Sequence, residues 1–206
     1  AARERLDLGV DKILNRNESS MLSLGKIYVG KALDANNQAT GKSTYVHNYN
    51  GLIEALNLYL ANLNVLYRKV QNYHWNLIGK DFFEIHVKLE EYYTEINTQI
   101  DDVAENILAI GGRPLGTMKD YLNVASIKEA KNEDITSTEA LTEVRNGFET
   151  MLDLAVAFKE AADSEDNYGT SALADEYISS FEKHLWMLNS FLATESVSAK
   201  AKKEAK

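Results

Sequence analysis

Five side chains between positions 74 and 105 have the types and spacing to bind a metal ion: His74, His86, Glu90, Asp101 and Glu105. On a helix, His86 and Glu90 stand four apart and share a face, and so do Asp101 and Glu105. Two carboxylates at that spacing repel by roughly 0.2–0.5 kcal/mol even when exposed. Burial beside a seam raises that cost, and a cation relieves it. The chain has no cysteine. Imidazole nitrogen with carboxylate oxygen, and no thiolate, suits iron, manganese or zinc.

Two helices and a tight turn must position these groups. Gly79 is placed to stop the first helix, and Asp81 with Glu84 three residues on has the capping-box spacing that starts the second. His74 lies six residues before Lys80 and His86 six after it. An antiparallel hairpin therefore sets the two imidazoles at one depth, able to face each other. Along the second helix Ile85, Leu89, Tyr92, Ile96, Ile100, Val103, Ile107 and Ile110 recur at threes and fours. The polar groups sit one or two positions beside that stripe, bordering a buried seam.

The ends of that helix cannot share one ion. His86 and Asp101 are fifteen residues apart, roughly 22 Å along the axis at a rise of about 1.5 Å per residue. Two copies crossing antiparallel about a two-fold axis near Thr94 to Asn97 bring the clusters together. His74, His86 and Glu90 of one chain then meet Asp101 and Glu105 of its partner, a self-complementary contact. The spacing predicts a metal site between subunits. His47, in an irregular linker, and His184, with no partner at ligand spacing, read as ordinary structural residues. Trp75 reads as core packing.

The block resembles the Dps family, the miniferritins named as DNA-binding proteins from starved cells. The resemblance rests on His74-Trp75-Asn76, Gly79, Phe82-Phe83, His86, Asp101, Ala104-Glu105 and Ile110-Gly111-Gly112-Arg113-Pro114, and extends from about residue 51 to 193. It implies an intersubunit ferroxidase centre at His74, His86, Asp101 and Glu105, oxidising Fe²⁺ to Fe³⁺ with hydrogen peroxide. It also implies a hollow dodecamer, built from two-fold dimers, that stores ferric mineral. At position 90 the chain has Glu where the family usually has Asp, one methylene longer at the second metal position. No Glu-x-x-His pair is present, so the di-iron pattern held within one subunit of larger bundles is absent. The resemblance further assigns Asp163 and Asp166, in Asp163-Ser164-Glu165-Asp166, to a pore that draws in Fe²⁺. As a bare sequence feature the same run is a solvated acidic turn.

The predicted fold is all-α: a ferritin-like four-helix bundle with a short helix in its long crossover and an N-terminal arm helix. Residues 1–50 form the arm and linker, 51–193 the bundle and 194–206 a basic tail. The first bundle helix, Leu52 to Ile78, carries Leu56, Leu60, Leu63, Leu66, Val70 and Tyr73. Residues 112–136 are too long for a tight turn and hold a short helix near Met118 to Asn123. Thr136 and Glu139 form a capping box. The third helix is marked by Leu141, Val144, Phe148, Met151, Ala155 and Phe158. The fourth starts near Ser171 and carries Leu173, Tyr177, Phe181, Leu185, Leu188 and Leu192.

Charge separates the ends from the middle. The chain has 206 residues and a net charge of −9, which on its face disfavours nucleic acid. Residues 1–50 and 195–206 are each +2, however, and the stretch between is −13. In the arm, Leu6, Val10, Ile13 and Leu14 share a face, with Arg3, Arg5, Lys12 and Arg16 outside it. The tail from Ala199, with Lys200, Lys202, Lys203 and Lys206, reads as frayed. These eight cations are candidates for non-specific contact with double-stranded DNA. No run of 18 apolar residues and no signal-like start appear. The expectation is a soluble cytoplasmic protein, nucleoid-associated and without membrane contact. The alternative function is a DNA-compacting or structural nucleoid protein whose metal site is weak or holds a metal other than iron.

Overall fold

The computed structural model describes residues 49–204, with side chains as far as Ala193. The predicted arm helix, nearly all of the linker, His47, Arg3, Arg5, Lys12, Arg16 and Lys206 lie outside the described residues, as do the side chains of Lys200, Lys202 and Lys203. In order come α1 (Asn50–Asn76), β1 (Leu77–Ile78), α2 (Phe82–Ala109), α3 (Met118–Val124), β2 (Ile135–Thr136), α4 (Ser137–Ser164) and α5 (Tyr168–Glu204). Among the described residues no helix is long and apolar enough to cross a membrane.

The two short strands show how the crossover works. β1 and β2 pair in parallel, Leu77 with Ile135 and Ile78 with Thr136. This sets the end of α1 beside the start of α4. At the other end Gly51 lies against Glu165, just past α4. α1 and α4 are therefore antiparallel, and α2 runs parallel to α4, as a single long crossover requires. The strand pair is absent from the sequence reading. Two residues a side are too few to leave an alternating pattern, although Ile135 and Thr136 are β-branched.

Helix ends follow local chemistry, with one exception. Thr136 and Glu139 form the full capping box that begins α4. α2 closes in a Schellman arrangement: Gly112 N–H donates to the Ile107 carbonyl at 2.8 Å and Gly111 N–H to that of Leu108 at 3.0 Å. Gly111 takes φ +87°, a conformation that side chains oppose. The exception is Asp81. It occupies the N-cap of α2 but makes no side-chain capping bond, so the capping box expected with Glu84 does not form. Gly79, at φ +127°, makes the turn without it. α5 starts at Tyr168, three residues earlier than expected, and stays helical to Glu204 where fraying was expected. The Ala, Lys and Glu content of 199–204 favours helix.

The core is the predicted apolar stripe with polar pins through it. Ile85, Leu89, Tyr92, Ile96, Val103 and Ile107 of α2 are buried, and Ile100 and Ile110 are partly so. Gln99 joins them because the Tyr59 hydroxyl donates to its Oε1 at 2.9 Å. A Cβ on Gly147 would sit 2.6 Å from Leu66 Cδ1, so α4 approaches α1 closely only with glycine there. Two buried asparagines of α1 hold the crossover. Asn57 donates to the Arg113 carbonyl at 3.2 Å and accepts from Leu115 N–H at 2.8 Å. Asn62 Oδ1 accepts from Ser126 N–H at 3.0 Å, Ser126 Oγ at 3.0 Å and Ile127 N–H at 2.9 Å.

His184 bears out its structural reading and gains a partner on another helix. Its Nε2 donates to Glu95 Oε2 at 2.7 Å, Ser180 Oγ donates to Glu95 Oε1 at 2.5 Å, and its ring packs on Tyr92 and Phe148. The hydrogen bond from His184, then that from Ser180, hold the Glu95 carboxyl below its usual value near 4.5 against the opposing effect of burial.

Asn62→Ala strands the buried Ile127 N–H and removes the partner of Ser126 N–H, and should lower unfolding stability by about 1–3 kcal/mol, with the crossover losing hydrogen-exchange protection first. Urea unfolding and amide exchange measure this. Because the folded carboxyl of Glu95 has the lower pKa, its contribution is complete above about pH 4.5 and is lost as pH falls through the folded value. Glu95→Gln should therefore lower the urea midpoint at pH 7, and the gap from the parent should narrow below about pH 4.

A candidate metal centre

The turn between α1 and α2 places His74 and His86 face to face. Their rings stack with centroids 3.7 Å apart and planes 17° apart. His74 Nδ1 lies 2.8 Å from the His86 carbonyl oxygen, and His86 Nδ1 lies 2.9 Å from the His74 carbonyl oxygen. A carbonyl only accepts, so each Nδ1 carries the proton and donates. In the neutral tautomer that makes these bonds, Nε2 holds the lone pair. Ligating histidines are commonly oriented this way by a donated N–H to a backbone carbonyl. Phe82 stacks on His86 at 4.8 Å, and Tyr93 meets His74 edge-on at 5.3 Å. His74 is 7% exposed. The two rings are thus held by backbone on one side and aromatic contact on the other.

The carboxylates lie elsewhere on α2. Glu90 is exposed one turn beyond His86, and Asp101 and Glu105 are exposed toward the far end of the helix. Burial and, after it, the Glu90 carboxylate hold the Tyr93 phenol above its usual range. Within one chain, among the described residues, no three histidine or acidic side chains come close enough to hold a metal. The outer face of α2 between the two clusters is an open groove lined by Val87, Glu90, Glu91, Thr94, Glu95 and Thr98. Apolar side chains flank it: Phe83 is 82% exposed and Val87 52%, while Leu108 at the other end is 59% exposed.

Trp75 departs from the core role expected of it. It is 59% exposed, with the Arg68 guanidinium 5.6 Å from its ring. Tyr73 and His74 take the inward positions at the end of α1, and one further residue turns the side chain outward. Asp163 and Asp166 lie at the α4–α5 turn. Asp163 Oδ1 accepts from Ser171 Oγ at 2.5 Å and Asp163 Oδ2 pairs with Lys159 at 3.4 Å. These two contacts, the Ser171 bond first, hold its carboxyl below the usual range. Asp166, at φ +54°, accepts from the Tyr168 hydroxyl at 3.2 Å. Sequence reading missed two parts of these sites: the carbonyls that orient the histidines, and Lys159 with Ser171. Carbonyls carry no sequence signal, and Lys159 stands four residues before its partner on an ordinary helical face.

The profile of the ferritin-like domain matches residues 53–196. The chain is 43% identical over 141 residues to DNA protection during starvation protein 2 of Bacillus anthracis, spanning 68% of this chain and 96% of that protein. It is 36% identical to the DNA protection during starvation protein of Listeria innocua, over 68% and 90% of the two chains. Among solved structures, the Dps protein of Vibrio cholerae O1, described as a ferritin-like diiron-carboxylate protein, superposes with a TM-score of 0.68 at 40% identity. That match covers 70% of this chain and 90% of the other. The Dps protein of Bacillus brevis gives 0.67 at 38% identity over 73% and 99%. By fold and sequence, the chain belongs to the Dps family of ferritin-like proteins, a family of protective, iron-binding proteins.

Proposed function

We propose that the chain is a ferroxidase that oxidises Fe²⁺ at a site shared by two subunits and protects DNA from peroxide. His74, His86 and Glu90 of one chain would bind iron together with Asp101 and Glu105 of the partner subunit. The observation that carries this reading is the reciprocal pair of histidine–carbonyl bonds, which presents two oriented Nε2 lone pairs at one depth. The separation of the two clusters along α2 supports a second chain as the source of the carboxylates. So do the exposed Phe83, Val87 and Leu108, which an antiparallel crossing about Thr94 to Asn97 covers in both copies.

Each group has a role in the chemistry. The neutral imidazoles bind Fe²⁺ without fixing it, and the carboxylates stabilise the harder Fe³⁺. Two Fe²⁺ ions each give one electron to hydrogen peroxide, which takes up two protons and leaves as two waters. Glu90 reaches one methylene further than Asp, which shifts or loosens the second metal position. Ferric product collects as mineral in a dodecameric shell, and Asp163 and Asp166 help admit Fe²⁺. The relatives' names speak of DNA protection during starvation. We extend that role to this chain in the cytoplasm, at the nucleoid. The multiple copies of Arg3, Arg5, Lys12, Arg16, Lys200, Lys202, Lys203 and Lys206 in an assembly give weak contacts to DNA phosphate their avidity.

The shared site is tested by complementation. A His74→Ala/His86→Ala chain and an Asp101→Ala/Glu105→Ala chain should each lose ferroxidase activity. Dissociated, mixed and reassembled, half of the dimers are mixed, and each mixed dimer has one whole site. About a quarter of the parent activity should return, given unbiased two-fold pairing. No recovery with mixed dimers present rejects a shared site. For DNA, a gel shift should show retardation by the full chain that falls steeply with salt. A chain starting near Asn50 should retard less, and equal retardation at low salt removes the arm from the function.

A further inference from the structure

The chain contains the pair Asn–Gly twice, as Asn50–Gly51 and as Asn146–Gly147. The pair is chemically reactive. The backbone nitrogen of the glycine can attack the asparagine side-chain carbonyl carbon, closing a cyclic imide while the amide nitrogen leaves as ammonia. Water then opens the ring at either carbonyl. The net change is asparagine plus water to aspartate or isoaspartate plus ammonia. Glycine favours the attack because no Cβ hinders its nitrogen. A helix opposes it: ψ near about −42° turns that nitrogen away from the side chain, and the N–H is bonded in the ladder.

The structure separates the two pairs. Asn146–Gly147 lies well inside α4, and Gly147 is buried against Leu66 with no room for a Cβ. Arg145 Nη2 donates to Asn146 Oδ1 at 2.9 Å, and Thr150 Oγ1 donates to the Asn146 backbone carbonyl at 3.1 Å. Opening α4 here means pulling it off α1, at a cost close to that of global unfolding. Asn50–Gly51 instead begins α1, and both residues are exposed. The Gly51 N–H is one of the first four in its helix, which have no intrahelical acceptor. Tyr49 gives α1 no side-chain cap, and the first turn holds no acidic residue. Both common supports of a helix start are therefore missing, and such a turn opens at little cost. We propose that Asn50–Gly51 is a self-modifying site, where Asn50 converts with time to aspartate or isoaspartate, while the fold protects Asn146. The conversion puts a negative charge where the arm joins the bundle. Residues 1–50 hold seven basic and five acidic residues, and a sixth acid halves their net charge from +2 to +1. The effect on DNA rests on the proposed role of the arm: aged protein releases DNA at lower salt than fresh protein.

The test incubates the folded full chain in mildly alkaline buffer and follows its peptides by mass spectrometry. The peptide holding Asn50 should gain about 1 Da and split into two peaks, one of them labelled by protein isoaspartyl methyltransferase. The peptide holding Asn146 should stay unchanged, and in urea both should convert. Gly51→Ala, whose methyl group meets Glu165 Oε1 at an ordinary 3.4 Å, should abolish the gain at Asn50. Persistence of Asn50 in the folded protein overturns the proposal. So does conversion no faster than at Asn146, or conversion that Gly51→Ala leaves unaffected. Gel shifts then compare fresh protein, aged protein, Asn50→Asp and Asn50→Gln. Aged protein and the Asp variant should lose DNA at lower salt than fresh protein, and Asn50→Gln should not change with age. Equal release by all four overturns the effect on DNA. No retardation by fresh protein sinks the DNA reading itself, while the mass result still decides the modification.

Discussion

The arrangement depends on the clasp in which two histidines each donate Nδ1–H to the other's backbone carbonyl. Those two bonds join the last turns of α1 to the first turns of α2 and decide which nitrogen each ring offers outward. The clasp needs the helices antiparallel and the turn short, conditions met by the positive φ of Gly79 and the early start of α2. Everything further along α2 is then placed by helix rise. Glu90 falls beside the clasp, while Asp101 and Glu105 fall far beyond its reach. On the proposed reading, such a chain orients the nitrogen ligands itself and takes the other carboxylates from a partner subunit.

Much of the fold was legible because its signals are periodic or local. The stripe from Ile85 to Ile107 repeats often enough to give both helix and buried face, and Thr136 with Glu139 marks a helix start by two residues alone. What escaped is what depends on contacts distant in sequence. Asn57 and Asn62 look like ordinary polar positions in a helix, yet the crossover, more than fifty residues later, makes them structural. Gly147 is legible only once Leu66 is known to lie against it. Asp81 shows the converse. Its spacing to Glu84 satisfies the capping pattern, but the backbone bonds of Gly79 and Asp81 organise the turn without either side chain.

The site divides along the same line. Counting residues from Lys80 was enough to bring His74 and His86 together, because a hairpin converts equal sequence distance into equal depth. Counting could not show that the rings stack or that carbonyls select the nitrogens. Trp75 was assigned to the core by its neighbours, yet one step of about 100° around the helix carries it from the inward face to the surface. Asp163 and Asp166 are alike in sequence and unlike in structure. Only the first lies within reach of Lys159, one helical turn earlier.

Dividing a site between chains has a thermodynamic consequence. On the proposed geometry, Fe²⁺ binds well only to a dimer, so metal stabilises association by its binding free energy. By linkage, association raises metal affinity by the same factor. The outer face of α2 gives this coupling a sign. Glu90, Glu91, Asp101, Asp102 and Glu105 are all exposed there, and two such faces brought together repel in the absence of cations. The apolar Phe83, Val87 and Leu108 favour association; the carboxylates oppose it until a cation enters. On that geometry an unassembled chain lacks the ligands to oxidise iron, and pairing of two chains completes them.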